Sequence, residues 1–134
     1  ARNAYSTGTK IKNNIFYTVN QIFNITIEDT EDLVGFESDY NIFWCEAGTP
    51  MFNYLGTPKT FAQWQALGYD THSRIINPNF NNLTDFVPAA RLDYGTNLGT
   101  TWQAGLSTSA VWTVGSAPAT TNQNGTWQVG ARVY

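Results

Sequence analysis

Asp70 and His72 stand two residues apart. In an extended segment that spacing puts both side chains on one face, where a carboxylate can orient an imidazole for acid–base chemistry. No partner nucleophile is identifiable beside them. The competing reading is structural and is preferred: Asp70 and Ser73 cap turns by accepting backbone N–H groups. Glu37 and Asp39 share the same spacing. On a strand their Cα atoms would lie about 7 Å apart, compatible with a carboxylate pair for glycoside hydrolysis, although a solvated acidic face is the simpler expectation. They belong to a stretch, Glu28, Asp29, Glu31, Asp32, Glu37, Asp39 and Glu46, that holds seven of the ten carboxylates. Such a stretch could offer oxygen ligands to Ca²⁺, but it lacks EF-hand spacing, so no metal site is assigned.

Aromatic side chains supply a second chemistry, the stacking of sugar rings on flat apolar faces with polar edges. Trp44, Tyr69, Trp102 and Trp112 are the candidates. Trp64 and Trp127 have the same chemistry, but Trp64 lies beside Phe61 and Leu67 and is expected in the core. Cys45 is the only cysteine and His72 the only histidine, which excludes an internal disulfide and a multi-Cys or multi-His metal site. Cys45 has no basic neighbour in sequence to activate its thiol, and a buried, unpaired role is expected. Asn24, Asn82 and Asn124 open glycosylation sequons, which a chain this rich in Asn and Thr produces by chance.

These residues must be held by short strands. The 134 residues allow one domain. Charged residues are only 13% and aromatics 15%, which excludes a disordered chain. No apolar run reaches the roughly 18 residues of a membrane helix. A net charge of −3 without a Lys/Arg cluster leaves no nucleic-acid footprint. Polarity comes instead from 18 Thr and 14 Asn against three Lys, a composition common in secreted proteins. Strand signals cover residues 10–17, 22–27, 33–36 and 40–44. One short helix is expected over residues 60–67, capped by Thr60 or Thr57 and stopped by Gly68. Asn14-Ile15-Phe16-Tyr17 recurs as Asn41-Ile42-Phe43-Trp44, 27 residues later. A period in the twenties suits a solenoid coil, and an Asn before each apolar strand can sit at a bend and hydrogen-bond along the stack. From Leu92 onward the chain has one acid, Asp93, and one base, Arg132, and reads as an irregular tail with aromatic anchors.

The segment Phe61-Ala62-Gln63-Trp64-Gln65-Ala66-Leu67-Gly68-Tyr69-Asp70-Thr71-His72-Ser73, followed by Asn77-Pro78-Asn79-Phe80, resembles the end of right-handed parallel β-helix proteins of the pectin-lyase-like kind. Lys12-Asn13-Asn14-Ile15-Phe16 and Ser38-Asp39-Tyr40-Asn41-Ile42-Phe43 are similar to the last coils of such solenoids. Asp85-Phe86 with Pro88 resembles a further motif of that region, with Ala89-Ala90 replacing its Ser-Pro. Gly125-Thr126-Trp127-Gln128-Val129-Gly130-Ala131 resembles the closing strand, with Gln128-Val129 in place of an acidic pair. The resemblance spans residues 10–134 and concerns the fold; the superfamily includes lyases, hydrolases, epimerases, adhesins and tailspikes. In its enzymes the catalytic residues usually lie on central coils, which this chain would lack. Several of its lyases use Ca²⁺.

The resulting expectation is all-β: the terminal coils of a right-handed parallel β-helix with one short α-helix and an irregular C-terminal capping tail. Residues 1–56 would form the coils, 57–73 the helix and turn, and 74–134 the final strands and tail, in one structural domain. The resemblance implies the C-terminal segment of a secreted or cell-surface, bacterial carbohydrate-active protein, related to polysaccharide lyases or glycoside hydrolases. This segment itself would cap the solenoid rather than catalyse. The alternatives are a structural, oligomerisation or adhesin-type module and a free-standing carbohydrate-binding β domain. Expected partners are polysaccharide and, at the N-terminal end, the rest of the β-helix, another chain or another protomer. The tail is expected to lay its Trp residues on the solenoid and cover its end.

Overall fold

In a computed structural model, described for residues 6–20, 22–107, 109–111 and 113–134, the chain is mostly β with one short helix. Its strands are Lys10–Lys12 (β1), Ile15–Thr18 (β2), Phe23–Ile27 (β3), Glu37–Asp39 (β4), Ile42–Cys45 (β5), Met51–Tyr54 (β6) and Thr57–Thr60 (β7). The helix Phe61–Ala66 (α1) is followed by Arg74–Ile75 (β8), Ala104–Ser107 (β9), Thr120–Asn122 (β10) and Arg132–Val133 (β11).

The 27-residue repeat is realised as parallel pairing. Lys10 lies opposite Glu37 in β1–β4, Ile15 opposite Ile42 in β2–β5, and Ile25 opposite Phe52 in β3–β6. Two successive passes of the chain therefore lie on each other strand for strand. A partial third pass adds β8 to β5, with Arg74 opposite Ile42, while β7 folds back antiparallel on β6.

Two of the sequence-based elements change. Residues 10–17 do not form one strand, because Asn13 adopts φ +59 and breaks the run into β1 and β2. Asn tolerates that left-handed conformation better than most residues, and Tyr40, 27 residues later, repeats it at φ +58. Residues 33–36 are not a strand either. Thr30–Leu33 forms a 3₁₀ turn, whose compactness brings β4 back under β1. The helix forms as expected: Thr60 and Gln63 complete a reciprocal capping box, and Gly68, at φ +95, turns the chain out of it.

Inside the passes the core is a stack of rings. Phe16 lies on Phe43 at 5.0 Å and 14°, Phe43 meets Phe52 edge-on at 5.0 Å, and Phe52 lies on Trp64 at 5.0 Å and 11°. Phe43, Phe52 and Trp64 are all 0% exposed. Alternation along β2 and β5 sends Phe16 and Phe43 inward and Ile15 and Ile42 to the opposite face.

That opposite face receives the tail. Leu92 and Val129 pack on Ile42, with Ile15 and Ile76 beside them, and the tail's own sheet has β9 between β10 and β11. Gly130 fits because it lacks a side chain: a Cβ there would come 2.8 Å from Ile15 Cδ1. The tail thus lies along the side of the β2–β5–β8 sheet, which corrects the expectation that it would cover an end. The reason is that Ile15 and Ile42 form an apolar stripe that needs burial. Of the tail's tryptophans, Trp127 is buried but Trp102 remains 67% exposed; Trp112 lies outside the described residues. The end beyond the second pass is closed instead by α1, through Phe61 and Trp64.

Candidate functional site

Asp70 is fully buried, at 0% exposure. Its Oδ2 accepts from Ser38 Oγ at 2.6 Å and Trp64 Nε1 at 2.8 Å. Its Oδ1 accepts from Ser73 Oγ at 2.6 Å and Asn41 Nδ2 at 2.9 Å. Four donors converge on one carboxylate, so it is held and shielded from any ligand. Asp70 does not pair with His72. At φ +50 it sits in a turn closed by Ser73 N–H donating to its carbonyl, and the extended geometry that would put residues 70 and 72 on one face is absent. The partners of Asp70 are side chains rather than the backbone N–H groups anticipated for it.

Around Asp70 runs a ladder that links the passes. Asn41 Oδ1 accepts the backbone N–H of Asn14 at 2.9 Å, and Ser73 Oγ accepts that of Asn41 at 2.7 Å. Each pass thus satisfies the bend of the one before it with a side-chain oxygen. The first rung follows from the sequence repeat. The second carries no matching signal, because Ser73-Arg74-Ile75-Ile76 preserves the register of Asn41-Ile42-Phe43-Trp44 but not its residue types.

The carboxylate on His72 is Asp39. Nδ1 of the ring lies 2.7 Å from Asp39 Oδ2, and the His72 backbone N–H donates to Oδ1 at 2.8 Å. Burial pushes the Asp39 carboxyl upward, but bonds from the His72 ring, the His72 N–H and the Tyr40 N–H outweigh it, and the group ends below the usual range. The ring also lies flat on Tyr40, centroids 4.7 Å apart. Thr71 Oγ1, at 3.3 Å, shares Nδ1 with Asp39, so the hydroxyl at the ring is not placed as an activated nucleophile, which needs the base nitrogen to itself.

Glu37 and Asp39 lie on one face of β4 but point to different partners. Glu37 Oε1 accepts from Lys10 Nζ at 2.8 Å and Oε2 from Lys12 Nζ at 2.6 Å. Hydrogen bonds from Lys10 and Lys12, and their charges, hold its carboxyl down at about 2. Both carboxylates are thus engaged by other groups of the chain itself. The folded-state value lies below the ordinary one, so the contribution of Glu37 to stability is complete above the ordinary carboxylate range and is lost as pH falls through about 2. An NMR titration of the side-chain carboxyl carbons is expected to show Glu37 as the most acidic glutamate. Lys10→Ala with Lys12→Ala should return its midpoint toward about 4.3.

Beside the Asp39–His72 pair lies a shallow cleft of about 440 Å³, lined by Tyr40, His72, Arg74, Asp93 and Tyr94 among others. The guanidinium of Arg74 sits 4.9 Å from the centre of the Tyr94 ring, a cation–π contact. Sequence reasoning named His72 but not Tyr40, Arg74 or Tyr94; Tyr94 arrives from the tail, and no local pattern announces it. A larger groove of about 1120 Å³ runs between β2 and the loops around Phe80, Phe86 and Val111. Neither space is lined by Trp44, Tyr69 or Trp102. Tyr69 packs against Trp64, Phe36 and Tyr54, on the core cluster. Cys45 is a buried free thiol. No group of three or more His, Cys, Asp or Glu among the described residues could hold a metal ion, and none of their helices is long and apolar enough to cross a membrane.

The fold and these contacts define a small mostly-β protein with parallel strand stacking and a buried polar knot. No protein-family model, curated protein or solved structure matches the chain.

Proposed function

We propose that this chain is the terminal, end-closing part of a right-handed parallel β-helix, within a larger secreted carbohydrate-active protein, and that its own task is to close and stabilise the solenoid. The observation that carries this reading is the 27-residue offset shared by the β1–β4 and β2–β5 pairs and, past a register shift between Phe23 and Ile25, by β3–β6, with α1 covering the stack beyond the second pass. Parallel connections within a sheet are right-handed in nearly all known cases, which supports the hand. A stack of identical passes needs a closure that hides its apolar interior, and Trp64 and Phe61 on α1 supply one. The carbohydrate-active context rests on the resemblance of residues 10–134 to pectin-lyase-like solenoids. Catalysis would then belong to other coils, in keeping with the engagement of Asp70, Glu37 and Asp39 in internal contacts.

The intact mass of the natural mature polypeptide that carries this sequence tests the reading. The expected result is a chain of several hundred residues whose additional length is made of further coils. A mature product of 134 residues would overturn it and turn attention to glycan binding in the Tyr40–His72–Arg74–Tyr94 cleft.

A further inference from the structure

We propose that the first pass presents a specific docking edge for one more parallel coil, carried on the polypeptide ahead of β1, and that Asn14 sets its register. This rests on the terminal-coil reading above and adds the contact that makes it specific.

Among the described residues, β1, β2 and β3 each pair on one side only. Ile42 N–H donates to Asn14 O and Glu46 N–H to Thr18 O. Alternate residues of a parallel strand bond to opposite neighbours, so the backbone groups of Ile15 and Tyr17 face the open edge. The ring stack is open on the same side: Phe16 has one face on Phe43 and is only half-buried, whereas Phe43, its equivalent one pass later, is sealed. Exposed edge strands are usually guarded by lysine. Here Lys10 and Lys12 are instead drawn to Glu37 on the second pass, away from the edge.

The ladder then identifies the occupant. Asn41 Oδ1 caps the Asn14 N–H, and Ser73 Oγ caps the Asn41 N–H. The next rung is Asn14 Oδ1 capping the N–H of the equivalent residue one coil earlier. Among the described residues Asn14 spends its amide nitrogen on Lys12 O and Asn41 Oδ1, and no donor is seen on its Oδ1. The occupant is therefore a coil whose bend N–H lies over Asn14 and whose inward side chain lies over Phe16.

The test is an extended chain in which residues 10–36 are repeated once ahead of Lys10, so that the copy enters at the 27-residue offset. Amide exchange at Ile15 and Tyr17 is expected to slow by roughly tenfold or more relative to the original chain, with a higher Tm. Asn14→Ala should remove most of that Tm gain in the extended chain and change the original chain little, a coupling read by the double comparison. Asn14→Ser should retain the gain, since serine serves this role at position 73. If the extension protects β2 but Asn14→Ala leaves the gain intact, the register role of Asn14 is overturned while the terminal-coil reading survives. If the extension gives no protection, the docking edge is overturned, and the mass of the natural polypeptide decides the terminal-coil reading separately. Sedimentation showing that the original chain self-associates, with protection of Ile15 and Tyr17, would make a second copy the occupant and overturn the proposal.

Discussion

Asp70→Ala is expected to cost about 3–5 kcal/mol, among the largest effects a single side chain can have on this protein. The substitution leaves Ser38 Oγ, Asn41 Nδ2, Trp64 Nε1 and Ser73 Oγ without their acceptor. Those groups come from β4, the bend before β5, α1 and the turn before β8, so one carboxylate ties the second pass to the closing helix and to the third pass. An orphaned buried donor carries its full desolvation penalty, about 1–3 kcal/mol each, partly relieved by relaxation and entering water. Asp70→Asn should cost less, about 2 kcal/mol, because one oxygen still accepts while the new NH₂ faces a donor. Urea unfolding followed by tryptophan fluorescence measures both. A loss below about 1 kcal/mol for Asp70→Ala would mean that this polar knot does not hold the passes together.

Phe43→Ala should cost about 3–5 kcal/mol for a different reason. Phe43 is 0% exposed and touches the rings of Phe16, Phe52 and Phe61, so its removal opens a cavity at the centre of the stack. The neighbours on either side are fixed by backbone pairing and cannot collapse into the space. Phe43→Leu, which refills most of the volume, should recover much of the loss. Phe16→Ala is expected to cost clearly less than Phe43→Ala, because Phe16 is only half-buried. Equal losses at the two positions, measured by the same unfolding experiment, would contradict the picture of a sealed second pass beneath an open first one.

Much of the architecture was legible in local patterns. The repeated Asn-Ile-Phe-aromatic motif predicted stacked passes 27 residues apart, and the pairing follows it residue for residue. The capping residues around α1 predicted that helix, since caps act within one turn of the chain. The long strand over residues 10–17 failed because its composition is strand-like throughout; only the left-handed Asn13 reveals the bend. Residues 33–36 failed for a related reason: Leu33, Val34 and Phe36 read as a strand, yet the chain there must turn to bring β4 back into register.

The site was less legible. Asp70 and His72 were singled out by type and spacing, but spacing along a chain predicts a shared face only where the backbone is regular, and Asp70 sits at φ +50. His72 finds Asp39, 33 residues away, and Asp70 finds four donors from distant elements. By itself, the sequence determined the β character, the repeat length, the helix and the core role of Trp64, because each depends on near neighbours or on a constant period. Only the tertiary structure decided that the tail covers a side rather than an end, that Asp70 is a buried knot, and that Tyr40, Arg74 and Tyr94 meet at a cleft. Those outcomes depend on which apolar stripe most needs cover and which polar groups fall inside it, and both are properties of the packed chain.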